Sequence, residues 1–278
     1  MNPTDKYNQR AKKINSLLCV GLDSDLEKIP VRFATLAFPQ FEFNKWIIEE
    51  THEYAAAYKM NSAFYEARGF KGMAELKMTM DYLADKHRDI FTILDSKRAD
   101  IGNTNEGYVT SSFDWLGADS VTLHPYLGGE ALAPFLNRKD KCSIILCRTS
   151  NPGAPEFQDL VVQHSGLNKV ADVAGWPLWQ VVAEKVSTVW NKNKNCMLVV
   201  GATYPEEMKQ IRSIAPDMTF LVPGIGAQGG DLQAVLKAGL TKDGLGLIIN
   251  SSRGIIFSEN PKEEAKKLCE EIRKHKGL

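Results

Sequence analysis

Eight short apolar runs, spread along the chain and separated by amphipathic stretches, constrain the fold of this sequence more than any other feature. They are Leu17–Leu22, Ala55–Met60, Phe91–Leu94, Ser120–Leu123, Ser143–Cys147, Met197–Val200, Thr219–Val222 and Leu245–Ile249. A continuous apolar run of this length is typical of a parallel strand that is buried on both faces. The runs therefore predict eight buried strands.

The segments between the runs have the periodicity or the start signals of helices. They include Phe43–Tyr54, Met73–Lys86, Pro177–Trp190, Pro205–Ile214, Asp231–Ala238 and Pro261–Lys274. Because strand and helix alternate, we expect an α/β fold, a (β/α)8 TIM barrel in which residues 1–278 form a single catalytic domain. An open, doubly wound parallel sheet is the alternative. The length of 278 residues is close to the roughly 250 residues of one such barrel.

The composition excludes several other classes of protein and argues against two kinds of partner. Apolar residues make up 44% and charged residues 24% of the chain, which excludes a disordered chain, a collagen-like fibre and a coiled coil. The 34 basic residues equal the 34 acidic ones, whereas proteins that bind nucleic acid through its phosphates usually carry a basic excess. No apolar run approaches the ~20 residues that span a bilayer. We therefore expect neither nucleic acid nor a membrane as a partner.

The five cysteines predict buried thiols rather than disulfides or a zinc cluster. They are odd in number, widely spaced and without a C-x-x-C pair. Core thiols of this kind are typical of a reducing compartment. The N-terminal segment also lacks the apolar stretch of a signal peptide. The sequence therefore predicts a cytoplasmic location.

Charged side chains follow the first three predicted strands where each strand ends. Asp23 ends the first strand, Lys59 the second and Asp95 the third, with Lys97 and Asp100 soon after. The carboxyl ends of barrel strands form the catalytic face, and Asp95 and Lys97 share one side because strand side chains alternate. Charges that end three adjacent strands favour a catalytic site with coupled protonation. Ion pairs that only neutralise a polar rim are the alternative.

Glycine-rich loops follow the last two predicted strands, where phosphate binds in many TIM barrels. One is the segment 223–230, which contains Gln228 and Gly229, and the other is the segment 250–254, which contains Arg253. Glycines let backbone N–H groups approach an anion closely, and arginine offers phosphate a bidentate contact. These loops favour a phosphate site over a pair of tight glycine turns.

A polar segment that contains Ser150 follows the fifth predicted strand, between the charges and the glycine-rich loops. It fits a contact between Ser150 and a polar heterocycle and an ordinary Ser-Asn-Pro turn equally well. Clustered metal ligands, a Walker loop and the strand–GxGxxG–helix unit are absent from the sequence. Neither a metal nor a cofactor is therefore expected.

The segment Asp95–Thr104, which reads DSKRADIGNT, resembles the D-x-K-x-x-D-I-x-x-T signature of the orotidine 5'-phosphate decarboxylase family. The likeness extends over nearly the whole chain, from Leu17–Asp23 to Arg253, and the long segment 151–175 resembles a longer bacterial branch. The resemblance implies cofactor-independent decarboxylation of orotidine 5'-phosphate to UMP and CO₂, the final step of de novo pyrimidine biosynthesis. It also implies a homodimer with shared active sites.

The resemblance further implies a role for each residue of the charged cluster. Lys97 would donate a proton to C6 of the pyrimidine after CO₂ leaves, and Asp95 would lie near the departing carboxylate. Lys59 and Asp23 would bind ribose hydroxyls and orient the network. Asp100 would enter the site from the other subunit of the dimer.

The remaining implied contacts involve the second subunit, the base and the phosphate. Ile101 and Thr104 would enter the site together with the preceding aspartate. Ser150 would contact the pyrimidine amide. Gln228 and Arg253 would hold the phosphate.

Two other functions remain open. A magnesium-dependent phosphosugar lyase or synthase of the same barrel superfamily shares the D-x-K-x-x-D pattern, and activity that survives EDTA would exclude that class. A non-catalytic phosphonucleotide-binding barrel would bind UMP without converting orotidine 5'-phosphate. The presence of Lys97 argues against this second alternative.

Overall fold

Eight parallel strands form a closed barrel in the structure, a computed structural model that describes residues 3–163, 175–225 and 230–276. In chain order the strands are β1 (Leu18–Gly21), β2 (Ala57–Asn61), β3 (Phe91–Arg98), β4 (Ser120–Leu123), β5 (Cys142–Arg148), β6 (Cys196–Val200), β7 (Phe220–Pro223) and β8 (Leu247–Ser251). The barrel closes where Leu18 of β1 pairs with Ile249 of β8. The predicted TIM barrel is therefore confirmed, and the open sheet is excluded.

Helices surround the barrel and also occupy several of its loops. They are α1 (Pro3–Ile14), α2 (Val31–Ala34), α3 (Pro39–Thr51), α4 (Ala63–Glu66), α5 (Gly69–Lys86), α6 (Gly102–Val109), α7 (Gly128–Ala131), α8 (Ala133–Leu136), α9 (Pro155–Gln158), α10 (Leu178–Lys185), α11 (Pro205–Ile214), α12 (Leu232–Gly239), α13 (Arg253–Ile256) and α14 (Pro261–Lys276). None of these described helices has the length and apolar character needed to cross a membrane.

Short elements of other kinds continue two of the helices and form a separate ribbon. The π-helical segments Thr110–Trp115 and Val186–Trp190 directly follow α6 and α10. A 3-10 turn, Asn191–Asn193, comes after the second of them. Val161–Val162 pairs with Trp176–Pro177 in an antiparallel ribbon that is not part of the barrel sheet.

The predicted helices are present. Pro205–Ile214 is confirmed as α11 with the same ends, and the ends of the others differ by a few residues. The helix α3 begins at Pro39 rather than Phe43, because proline is well suited to the first helical turn. The segment predicted as one helix, Pro177–Trp190, is α10 followed by a π-helical stretch. Asp231 is the N-cap of α12 rather than its first residue, and its carboxylate accepts a hydrogen bond of 3.1 Å from the Ala234 N–H.

The N-terminal helix α1 is not among the predicted elements, although it covers one end of the barrel. Tyr7 and Ala11 are fully buried on one face of α1. The Tyr7 hydroxyl donates a 2.6 Å hydrogen bond to the carbonyl oxygen of Leu247, where β8 begins. The spacing of four residues between Tyr7 and Ala11 is the signal that identifies the buried face of this otherwise polar helix.

The barrel strands are buried along nearly all of their length, as their continuous apolar runs predict. Every residue of β1, β4 and β6 is buried. The predicted core thiols are confirmed, because the five cysteines are buried and free: Cys19, Cys142, Cys147, Cys196 and Cys269. Burial raises the pKa of the Cys196 thiol to about 12, so this thiol is protonated at neutral pH.

One guanidinium joins the ends of two helices to the beginnings of the last two strands. Arg212 of α11 donates to the carbonyl oxygens of Met218 at 2.5 Å, Gly239 at 2.6 Å and Gly246 at 2.9 Å. Its Cζ atom lies 3.8 Å from the ring centroid of Phe220. Burial lowers the pKa of Arg212 to about 10, yet the side chain stays charged at neutral pH and donates charged hydrogen bonds to these backbone carbonyl groups.

We expect Arg212→Met to lower the free energy of unfolding by about 3 kcal/mol, because several buried carbonyl oxygens lose a charged donor. Urea denaturation followed by circular dichroism measures the change. Lys209→Met, at an exposed position of the same helix, is the matched control and should stay within about 0.5 kcal/mol of the parent protein. Equal midpoints for the two variants would contradict a structural role for this guanidinium.

Candidate active site

The carboxyl ends of the barrel strands surround a cavity of about 470 Å³. Six of the predicted site residues line it: Asp23, Lys59, Asp95, Lys97, Ser150 and Arg253. The cavity therefore brings the charges of the first three strands together with residues that follow β5 and β8, as parallel closure of the barrel predicts.

The charged residues form a chain of alternating sign. The Lys59 ammonium lies 3.4 Å from an Asp23 carboxylate oxygen and 3.2 Å from one of Asp95. The other Asp95 oxygen lies 2.7 Å from the Lys97 ammonium. The Asn61 N–H donates to Asp23 at 3.2 Å and holds the first carboxylate in place. The order Asp23, Lys59, Asp95, Lys97 gives each carboxylate an ammonium neighbour.

Lys59 and Asp95, the two central members of this chain of charges, hold each other in the charged state. Burial alone would raise the pKa of Asp95, but the ammonium groups of Lys59 and Lys97 outweigh it and hold that pKa well below its usual range. Burial would likewise lower the pKa of Lys59, whereas Asp23 and Asp95 raise it above its usual range. Both central groups are therefore ionised at neutral pH.

Lys97 is the exposed end of this chain of charges, and its backbone conformation is unusual. The predicted strand ended at Leu94, whereas β3 continues to Arg98, and its register against β4 shifts between these two residues. Within the shifted part, Lys97 has a φ of 49°, which costs a residue with a side chain about 1–2 kcal/mol. The Lys97 side chain is 48% exposed, against 5% for Lys59. The irregularity thus leaves one ammonium accessible at the mouth while the other is buried below it.

Thr122 and Asn250 belong to the site but were not predicted individually. The Thr122 hydroxyl donates to Asp95 at 2.8 Å and accepts from the Lys97 backbone N–H at 2.9 Å. Asn250 lines the cavity, and its buried side-chain oxygen has no hydrogen-bond partner among the described residues. Both residues lie in the carboxyl-terminal half of an otherwise mostly apolar strand, and a polar residue at that position is the available signal.

The loop that carries Ser150 is held against the barrel by a buried arginine. Arg148, which is 2% exposed, lies 3.2 Å from an Asp159 carboxylate oxygen, and its guanidinium lies 3.9 Å from the ring centroid of Tyr204. A Cβ at Gly201 would lie 2.9 Å from the Ser150 backbone nitrogen, so only glycine permits this approach. These contacts place Ser150 at the cavity wall, between the charged chain and the last two strands.

The opposite end of the cavity combines a cation with a glycine turn. Arg253 is exposed at the start of α13. Gly224, which follows β7, has a φ of 103°, a conformation that favours glycine. This combination can hold an anion. Gln228 and Gly229 lie outside the described residues, and their predicted contacts with phosphate stay predictions.

Asp100, Ile101 and Thr104 are not among the described residues that line the cavity of their own chain. They lie where β3 leads into α6, and the Asn105 side chain accepts a 2.9 Å hydrogen bond from the Asp100 backbone N–H. Ile101 is 62% exposed. An exposed apolar side chain beside a carboxylate fits a contact with another molecule, and the predicted place of all three in a neighbouring subunit's site stays a prediction.

Comparison with known proteins gives consistent matches over almost the whole chain. Residues 16–268 match the model of the orotidine 5'-phosphate decarboxylase / HUMPS family. The orotidine 5'-phosphate decarboxylase of Cellvibrio japonicus is 47% identical over 248 residues, which are 88% of this chain and 86% of that protein. The enzyme of the same name from Flavobacterium johnsoniae is 44% identical over 276 residues, 97% of this chain and 96% of its own. The solved Leishmania donovani OMP decarboxylase has a TM-score of 0.85 at 40% identity, with 100% of both chains covered.

The low pKa of Asp95 predicts how the stability of the protein changes in acid. Its folded pKa lies below the unfolded value of about 3.9. The carboxylate therefore contributes stability that is complete above the unfolded pKa and is lost as the pH falls towards the folded one. We expect Asp95→Asn to lower Tm at pH 7, and the difference from the parent protein to shrink as the pH falls from about 5 to 3.

Calorimetry at a series of pH values measures this difference. Asp81→Asn is the matched control, because Asp81 is 61% exposed and pairs with Lys77 on the surface of α5. A surface pair of this kind contributes little to stability, so the control should stay near the parent Tm throughout. A difference for Asp95→Asn that stays constant down to pH 3 would contradict the role of its charge.

Proposed function

Because the chain belongs to the orotidine 5'-phosphate decarboxylase / HUMPS family, and is thereby an enzyme of the carboxy-lyase class, we propose that it converts orotidine 5'-phosphate to UMP and CO₂. This reaction is the last step of de novo pyrimidine biosynthesis. The observation that carries the proposal is the alternating charged chain at the mouth, in which Asp95 and Lys97 of the signature lie 2.7 Å apart. The expected cytoplasmic location stays a prediction.

The half-exposed Lys97 ammonium is the proposed proton donor. When the bond between C6 and the carboxylate breaks, CO₂ leaves and the electron pair remains on C6, in the plane of the ring. The ring π system cannot delocalise that pair, so the developing charge needs electrostatic stabilisation. A preorganised ammonium supplies it and then transfers a proton from Nζ to C6. Because Lys97 is 48% exposed, solvent can restore its proton afterwards.

Asp95 and Lys59 are proposed to set the electrostatics around the reacting carboxylate. Asp95 is held ionised by its ammonium neighbours, so a substrate carboxylate placed beside it is repelled in the ground state, and this repulsion is relieved as CO₂ leaves. Lys59 is buried and paired on both sides, so it positions Asp95. Asp23 and Lys59 also line the cavity, where their side chains are available to form hydrogen bonds with ribose hydroxyls.

The other half of the cavity is proposed to bind the base and the phosphate. Ser150 at the wall would contact the pyrimidine amide, and Arg253 would pair with the phosphate. Gln228 and Gly229 are proposed to complete the phosphate site. Binding energy from the remote phosphate can hold the ring against the charged chain, which favours the reaction because the phosphate itself does not react.

We further propose a homodimer in which Asp100, Ile101 and Thr104 complete the site of the neighbouring subunit. The support is their position at the rim, outside the described lining of their own cavity, together with the 62% exposure of Ile101. Small-molecule substrate and a second copy of the chain are then its partners. Nucleic acid is not expected, because basic and acidic residues balance at 34 each.

Of the two alternatives, the magnesium-dependent phosphosugar reaction fits the carboxylates less well. A Mg²⁺ ion needs oxygen ligands in near-octahedral geometry, whereas both oxygens of Asp95 already bind ammonium groups. A protein that only binds the nucleotide would not need the accessible Lys97 ammonium. Activity that continues in EDTA supports the decarboxylase over the first alternative, and turnover supports it over the second.

We expect Lys97→Ala to reduce decarboxylation at least about a thousandfold, because it removes both the charge beside C6 and the proton donor. Loss of the absorbance of orotidine 5'-phosphate in the presence of EDTA measures turnover. Lys77→Ala, which removes an exposed lysine from α5, should retain the parent activity. Wild-type turnover by folded Lys97→Ala would show that another group protonates C6.

We also expect Lys97→Ala and Asp100→Asn subunits to complement each other in mixed dimers. One site of a mixed dimer receives both substitutions, and the other receives intact Lys97 from one chain and intact Asp100 from the other. Random pairing at equal input makes half of the dimers mixed, so about a quarter of all sites should recover. Activity after co-refolding is compared with each variant refolded alone. Confirmed mixed dimers without recovered activity would assign Asp100 to the site of its own subunit.

A further inference from the structure

A cluster of metal-ligating side chains lies on the outside of the barrel, where α3 and α5 end. Glu49 lies in the last turn of α3, His52 caps that helix, and His87 caps α5. One ligand atom from each of the three residues lies within 4.8 Å of the other two. The strands that follow these helices are β2 and β3. Their first residues, Ala57 and Phe91, lie opposite each other in the sheet. The cluster thus sits at the amino-terminal end of β2 and β3, opposite the mouth that holds Lys59 and Asp95.

We propose that Glu49, His52 and His87 form a binding site for a divalent transition metal ion, Zn²⁺, which joins the ends of α3 and α5. Two imidazole nitrogens and one carboxylate oxygen are a ligand set that Zn²⁺ prefers, with water in the fourth tetrahedral position. The site is separate from the proposed decarboxylation and does not depend on it.

The spacing of the ligand atoms is close to what zinc requires. His87 Nε2 lies 2.9 Å from Glu49 Oε1, and ligand atoms around a tetrahedral Zn²⁺ are about 3.3 Å apart when the bonds are about 2.0–2.1 Å. The His52 and His87 rings have centroids 4.7 Å apart. The three atoms lie within 4.8 Å of one another, so small side-chain rotations of the exposed Glu49 and the half-buried His52 bring them around one ion.

Neighbouring groups already orient the ligands. His52 Nδ1 lies 3.0 Å from the Glu49 carbonyl oxygen, and a hydrogen bond donated there leaves Nε2 as the ligand nitrogen. The Tyr82 hydroxyl donates to Glu49 Oε1 at 2.7 Å. The same oxygen lies 2.9 Å from His87 Nε2, so the hydroxyl orients the carboxylate towards that ring. His87 is only 12% exposed on its side chain, so one ligand is rigidly placed while Glu49 and His52 complete the site.

Calorimetric titration of EDTA-treated, dialysed protein with zinc chloride tests the site. We expect one Zn²⁺ per chain, and a Kd at least tenfold weaker in each of His52→Ala, His87→Ala and Glu49→Gln. His275→Ala, which removes a histidine of α14 that is not part of the three-residue group, is the control and should bind zinc as the parent does. At a zinc concentration 100-fold above Kd, Tm should rise by about 5 °C in the parent and in the control, and not in the three site variants.

Glu49→Gln keeps the shape of the side chain, so it separates loss of a ligand from loss of packing if a histidine variant proves unstable. Zinc binding that is unchanged in all three site variants would overturn the proposal, and so would an equal loss in His275→Ala. Turnover of orotidine 5'-phosphate should be the same with and without zinc, because the cluster lies at the end of the barrel away from the mouth. An inactive protein that still binds zinc through these residues would contradict the proposed reaction and leave the metal site intact.

Discussion

The Lys59 ammonium between two carboxylates is the interaction on which the mouth of this barrel depends. A lone charge with 5% side-chain exposure would be costly to bury, because it loses most of its hydration. Asp23 and Asp95 offset that cost, and Asp95 in turn gains the accessible Lys97. Replacing Lys59 would remove the ammonium neighbour of Asp23, and replacing Asp95 would leave the buried Lys59 with one carboxylate instead of two. The four charges therefore act as a single electrostatic unit, with one end buried in the barrel and the accessible Lys97 ammonium at the mouth.

Most of the fold could be predicted from the sequence, because the strands are buried on both faces and their apolar runs carry the full signal. The errors occur where tertiary contacts decide the structure. β3 continues beyond Leu94 into polar residues, since the Thr122 hydroxyl and the Asp95 carboxylate replace apolar packing with hydrogen bonds. α1 escaped prediction because most of its residues are polar and only Tyr7 and a few neighbours are buried.

The site was predictable where strand ends alone determine it, and not where the chain departs from regular geometry. Asp23, Lys59 and Asp95 meet because parallel strands end at one face of the barrel. The left-handed backbone of Lys97 could not be inferred, since lysine rarely adopts it. In the sequence, Asn250 is only the end of an apolar run. The closed barrel shows that its side-chain oxygen is buried and has no hydrogen-bond partner within the part of the chain that the structure describes.

The five buried thiols can report local unfolding of different parts of this barrel. They are distributed over β1, β5, β6 and α14, at Cys19, Cys142, Cys147, Cys196 and Cys269. A thiol reagent attacks only a deprotonated, exposed sulfur, and these sulfurs are neither exposed nor, at Cys196, easily deprotonated. Each cysteine can therefore be labelled only during a fluctuation that separates its strand or helix from the core. The order in which the five positions are labelled would rank these strands and α14 by how often each separates from the core.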